Sequence, residues 1–124
     1  FRTTEAFRIG SLHGLGSTPT PQCPKVQKAS MGTSDKVPFF ENTVLETLPK
    51  PWICLETASP STPIHSFTFP QSFTLILGNE EYGVPQEILK SSDHIVEIPL
   101  CGSKNSLNVA SAYAIAAAAI RAQI

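Results

Sequence analysis

An α/β domain built on a parallel sheet is the fold class this sequence predicts, and three observations carry the prediction. Residues 73–77, FTLIL, and 95–100, IVEIPL, are apolar runs long enough for buried strands and too short for typical helices. Each gives way to a polar, glycine-containing turn and then to a helical stretch, the alternation expected of parallel strands. A length of 124 residues with 41% hydrophobic content suits one domain with a real core. Ligands of such sheets bind outside the carboxyl ends of the strands. Residues 78–83, GNEEYG, and 101–108, CGSKNSLN, are therefore expected side by side at one rim, as a small-molecule site made largely of backbone.

Taken in order, the chain opens on residues 2–7, RTTEAF, which are helical in character with no N-cap and no initiator methionine. The expectation is a domain entered inside a helix, hence truncated at its N-terminus. Residues 9–15 read as a strand, and 17–24 as a rigid loop set by Pro19, Pro21 and Pro24. Residues 25–32 fit a short helix stopped at Gly32. A short strand at 37–40, a weak helix at 42–48, a strand at 52–57 and a loop with a brief extended segment at 58–69 follow. Gly78 and Gly83 bracket the turn after the run ending at Leu77; glycine there permits positive φ and close approach of a ligand to backbone. Pro85 suits the first turn of a helix over 86–90. Pro99 ends the ladder capacity of the next strand. Asn105 or Ser106 is placed to cap the last helix, alanine-rich and running to about Ala122. There is no internal repeat.

Nine basic and ten acidic residues give a net charge of −1, so no global basic field advertises nucleic acid. A local patch or a second protomer would have to supply one. Cys23, Cys54 and Cys101 are odd in number and widely spaced; they suggest reduced thiols in an intracellular protein rather than a disulfide framework or a zinc site. His13, His65 and His94 are scattered, and no metal is expected. No run of 18 apolar residues is present, so no helical membrane span is expected. The location that fits is cytoplasmic, with an organelle as the alternative.

Two of these motifs carry a resemblance. An apolar strand ending in Gly78, Asn79 and Glu80 with Gly83 nearby, followed by Ile98-Pro99, a glycine-containing loop and Ser106-Leu107-Asn108-Val109 opening a helix, resembles the second and third motifs of the SpoU/TrmH family of the SPOUT superfamily. Arg2 to Phe7 is similar to the end of that family's first motif, whose strand and asparagine would lie upstream. The resemblance covers nearly all of the chain and implies a parallel-sheet SPOUT domain with a C-terminal trefoil knot and its first strand missing. It implies S-adenosyl-L-methionine as cofactor, tRNA or rRNA as substrate, methyl transfer to a ribose 2′-hydroxyl, and a homodimer packed through the knot region. Val109, Tyr113, Ile120 and Ile124 of the last helix would serve that interface; burial within the monomer is the alternative for this face.

The resemblance also distributes roles. Leu77, Gly78, Asn79, Gly83, Ile98, Leu100, Ser106, Leu107 and Asn108 would hold the cofactor, with Ile98, Leu100 and Leu107 sandwiching the adenine; plain core packing is the alternative for these three. Arg2, Glu80, Ser106 and Asn108 would form the catalytic set. Arginine as a literal base would have to lose a proton held to a pKa above about 12, at roughly 7 kcal/mol for a shift of about five units. Clamping the target phosphate and stabilising the forming alkoxide is the less demanding role, with Glu80 orienting the guanidinium and Glu81 facing solvent. Arg2, Lys25 and Lys28 would contact RNA; the two lysines, three apart on one face, are otherwise ordinary solvated residues. A non-catalytic RNA- or cofactor-binding relative is the alternative function. A different nucleotide-binding protein is weakly supported, since GNEEYG is neither a GxGxxG fingerprint nor a P-loop.

Overall fold

The computed structural model describes residues 2–15, 36–58, 60–79, 82–102 and 107–124, with Arg2 described in its backbone alone. The chain divides into two compact units, Phe1–Leu48 and Pro49–Ile124.

In the first unit, helix α1 (Arg2–Ala6) is a single short turn-and-a-half. It closes through Phe7 N–H to the Thr3 carbonyl (3.0 Å) and Ile9 N–H to the Thr4 carbonyl (2.9 Å), with Arg8 in the left-handed region at φ 53. Strand β1 (Leu12–His13) pairs in parallel with β2 (Phe39–Phe40). Both are shorter than the runs at 9–15 and 37–40 suggested. His13 stacks on Phe40 with ring centroids 4.9 Å apart, and its ring nitrogens lie 2.9 Å from Ser11 Oγ and 3.1 Å from Thr43 Oγ1. The weak helix expected over 42–48 is only a 3-10 turn at Leu45–Thr47, since Leu48 is already extended (ψ 152) ahead of Pro49. The helix expected at 25–32 lies outside the described residues.

The second unit is the parallel sheet. Its strands are β3 (Trp52–Leu55), β4 (Thr62–Pro63), β5 (Thr74–Leu77) and β6 (His94–Glu97), ordered β4-β6-β3-β5 with every pairing parallel. Central β3 is WICL, of which Trp52, Ile53 and Cys54 are buried, as a strand covered on both faces must be. Pro63, which has no N–H to give, sits on an edge strand. Asp93 fixes register at the amino end: its Oδ2 accepts from Trp52 N–H at 2.7 Å while its own N–H donates to the Trp52 carbonyl at 2.8 Å.

Helix α2 (Gln86–Ser91) begins after Pro85, which stands just outside the first turn and not within it. Helix α3 (Val109–Gln123) is capped by Asn108, whose Oδ1 accepts from Ala110 N–H (2.8 Å) and Ser111 N–H (3.4 Å). This corrects the expected start: the cap is Asn108, not Asn105 or Ser106, because the extended backbone of Asn108 (φ −54, ψ 138) turns its carboxamide onto the first free amides. At the other end, Gln123 accepts from Phe69 N–H (2.8 Å) and donates to the Phe67 carbonyl (2.9 Å). The core joins Ile53, Ile64, Phe69, Val96 and Ala116, with Leu55, Phe67, Phe73, Leu75, Ile98, Ala119 and Ile120 packed against it. Alanine on α3 lets the helix approach the sheet closely: Ala116 and Ala117 are fully buried.

Candidate functional site

Parallel strands end together. Leu55 of β3 is in register with Leu77 of β5 on one side and Val96 of β6 on the other, so the chain leaves all three strands at one edge. Strands β5 and β6, which lead into the two motif loops, both end at that edge without pairing to each other. Strand β3 lies between them, and the residue that leaves it is Glu56.

The loop after β5 is closed on itself. Asn79 and Gly83 form an antiparallel bridge, with Gly83 N–H donating to the Asn79 carbonyl at 2.8 Å and Asn79 N–H to the Gly83 carbonyl at 3.4 Å. Asn79 Oδ1 also accepts from Tyr82 N–H at 3.3 Å. This closure by itself requires both glycines. A Cβ on Gly78 would strike the Gly83 carbonyl carbon and come within 2.5 Å of the Val84 nitrogen, both backbone atoms that cannot yield. Gly83 holds φ +71, and a Cβ there would sit 2.5 Å from Glu56 Oε2. That carboxylate accepts from Val84 N–H at 2.9 Å through Oε2, and Oε1 accepts from Thr57 N–H at 3.1 Å. Glu56 N–H in turn donates to the Val96 carbonyl of β6 at 3.1 Å.

Of the expected cofactor residues, Leu77, Gly78 and Gly83 are half-buried at this edge, and Asn79 is exposed. Ile98 and Leu100, on the chain leaving β6, are half-buried, and Ile98 packs against the core. Leu107 is 42% exposed, a large apolar surface beside the exposed Asn108. Glu80, Glu81 and Ser106, the side chain of Arg2, and Lys25 and Lys28 lie outside the described residues. Among the candidates for a dimer face, Ile120 is turned into the core of its own chain, whereas Ile124 and, unforeseen, Ile115 are exposed.

Sequence reasoning missed two features. Glu56 was read as the tail of a strand, and nothing in its local pattern marks it as a partner of Val84, 28 residues away. An open, shallow depression lined by Thr57, Ala58, Pro60, Ser61 and Glu97 lies where β3 and β6 end. A second depression, about 290 Å³, shares Pro60 and Ser61 with the first and extends to Leu89, Asp93 and His94 at the amino end of β6. Among the described residues no cluster of side chains suits a metal ion.

The chain is similar to known proteins over almost its whole length. The SpoU rRNA Methylase family model matches residues 1–118. A tRNA/rRNA methyltransferase of Synechocystis, itself uncharacterised, is 31% identical over 127 aligned positions, covering 92% of this chain and 31% of that protein. A mouse tRNA (guanosine(18)-2′-O)-methyltransferase is 39% identical over 57 residues, or 46% of this chain and 4% of the relative. The chain thus spans less than a third of either relative's own length. Among solved structures, the SpoU methyltransferase AviRb from Streptomyces viridochromogenes, determined in complex with AdoMet, superimposes with a TM-score of 0.87 at 23% identity, covering 98% of this chain and 53% of that one.

Proposed function

The chain belongs to the SpoU rRNA methylase family, and from that premise we propose that it is the catalytic domain of an S-adenosylmethionine-dependent RNA methyltransferase acting on a ribose 2′-hydroxyl of tRNA or rRNA. The observation that carries the reading is the closure of Gly78 and Asn79 against Gly83 and Val84 at the carboxyl edge of a parallel sheet. Named relatives act on such RNAs, and the AviRb structure holds the donor.

S-adenosylmethionine, when bound, supplies an electrophilic methyl group on a sulfonium. The chain's part is to hold the two reactants in line and to manage one proton. Backbone groups of residues 77–79, 83, 98 and 100, with Leu107, would seat the adenosyl moiety. Arg2 would clamp the target phosphate and steady the alkoxide as the 2′-oxygen bonds to carbon, and Glu80 would orient the guanidinium. Ser106 and Asn108 would fix the ribose, Asn108 while its carboxamide oxygen caps the last helix. The proton would leave to the RNA phosphate. Lys25 and Lys28 would add phosphate contacts, and a homodimer joined through a knotted C-terminal region would complete the site.

Methyl transfer from labelled S-adenosylmethionine to tRNA and rRNA, with nuclease mapping of the methylated ribose, tests this. Arg2→Ala is expected to cut kcat at least a hundredfold with modest change in cofactor affinity, consistent with loss of one charge-stabilising donor costing about 100-fold or more. Methylation that survives unchanged in Arg2→Ala would overturn the catalytic assignment. Cofactor binding without turnover on any RNA would favour a non-catalytic relative, a reading to which the net charge of −1 lends some weight.

A further inference from the structure

We infer that Glu56 is the latch of the Gly78–Val84 loop, a positioning residue that holds the cofactor-binding backbone in its competent shape by tying the loop to the central strand. The inference rests on the reading of that loop as the adenosyl site.

Three observations converge on Glu56. It is the first residue beyond β3, the strand flanked by both motif-bearing strands, so it stands where the two loops part. Its main chain faces one neighbour, donating to the Val96 carbonyl at 3.1 Å, and its side chain faces the other, accepting from Val84 N–H at 2.9 Å. Its carboxylate oxygen also occupies the space a Cβ at Gly83 would take, 2.5 Å away, so the absent side chain and the carboxylate fit each other. Val84 is 4% exposed. Its N–H cannot turn to water, and without Glu56 it would be left without that acceptor.

The Asn79–Gly83 bridge closes the loop upon itself. The Glu56–Val84 bond ties it to the residue that leaves the central strand, and it is charge-assisted, the stronger kind. A loop that reads an adenine edge with backbone groups depends on their positions alone, so loss of the latch should lower affinity for the adenosyl ligand without changing the transfer step itself.

The test combines amide exchange with binding and kinetics on the 124-residue chain. In Glu56→Ala the Val84 amide is expected to exchange about tenfold faster and S-adenosylhomocysteine to bind about tenfold more weakly, the effect of roughly 1.4 kcal/mol. The KM for S-adenosylmethionine should rise with kcat at saturation near that of the parent. Glu56→Gln retains an acceptor oxygen at the same reach and should restore both readouts to within a few-fold. Glu56→Asp keeps the charge but withdraws it by one methylene, and should behave like Glu56→Ala. Glu56→Asp with parental affinity would overturn the latch in favour of a general charge effect, as would unchanged Val84 exchange in Glu56→Ala. Should Glu56→Ala fail to fold, the Gln and Asp pair decides alone. If the parent chain binds no S-adenosylhomocysteine, the adenosyl reading of the loop fails, and with it the affinity half of the inference; Val84 exchange then still decides whether Glu56 holds the loop.

Discussion

Gly78 and Gly83 illustrate how differently two glycines of one motif are constrained. The space beside Gly78 is filled by backbone of Gly83 and Val84, whereas that beside Gly83 is filled by the far end of the Glu56 side chain. Gly78→Ala is therefore expected to destroy the loop, abolishing S-adenosylhomocysteine binding. Gly83→Ala should be milder, meeting an unfavourable φ at a cost on the order of 1 kcal/mol and a displaced carboxylate. Titrating both variants checks the ranking, and equal losses would contradict it. Cys54 and Cys101 differ just as sharply. Burial raises the Cys54 thiol above its ordinary pKa, aided by the charge of Glu56 and opposed by a hydrogen bond with Ser92. The fold thus favours the neutral thiol, and its contribution to stability is complete below the unfolded pKa and lost as pH rises through the higher folded value. Iodoacetamide at neutral pH is expected to modify exposed Cys101 and spare Cys54 until the chain unfolds, as peptide mass mapping would show. At this scale the motif glycines were legible because the requirement for no side chain is local. Glu56 was not, because its partner lies across the sheet and leaves no periodic trace. The cap at Asn108 was passed over for Asn105 and Ser106 because three capping-competent residues stand close together and the choice among them is made by backbone direction.

The elements were legible where apolar runs are continuous. WICL and TLIL declare strands on their own, and the parallel direction followed from apolar strands each followed by a helix. Strand ends were less so: pairing stops at Glu97, although the apolar pattern continues through Ile98 and Leu100, because the neighbour β3 has already ended at Leu55. Strand β4, two residues long and half proline, carries almost no signal of its own and exists because β6 offers it an edge. Tertiary side chains finish what periodicity begins. Asp93→Ala removes the acceptor for Trp52 N–H at the start of the central strand and is expected to cost about 1–3 kcal/mol, the penalty of a buried donor left without its partner. Chemical denaturation measures that loss, and a change under about 0.5 kcal/mol would mean that the pair is dispensable for register.

For the whole molecule, the family was legible from two short motifs in the right order, and what they order is the edge of a sheet. The −1 net charge told little about the substrate, because the electrostatics of RNA contact depend on local placement of a few cations and on any further protomer. Ile120 was given to a dimer face through the family resemblance, with burial in its own chain as the alternative, and it is the alternative that its packing against the core matches. The central claim is that the carboxyl edge of this sheet is an adenosyl-binding site, and isothermal titration of the unmodified chain with S-adenosylhomocysteine tests it most directly. The account predicts saturable binding in the micromolar range that is abolished in Gly78→Ala. A folded chain that takes up no S-adenosylhomocysteine, or one that binds it equally well with alanine at position 78, would contradict it.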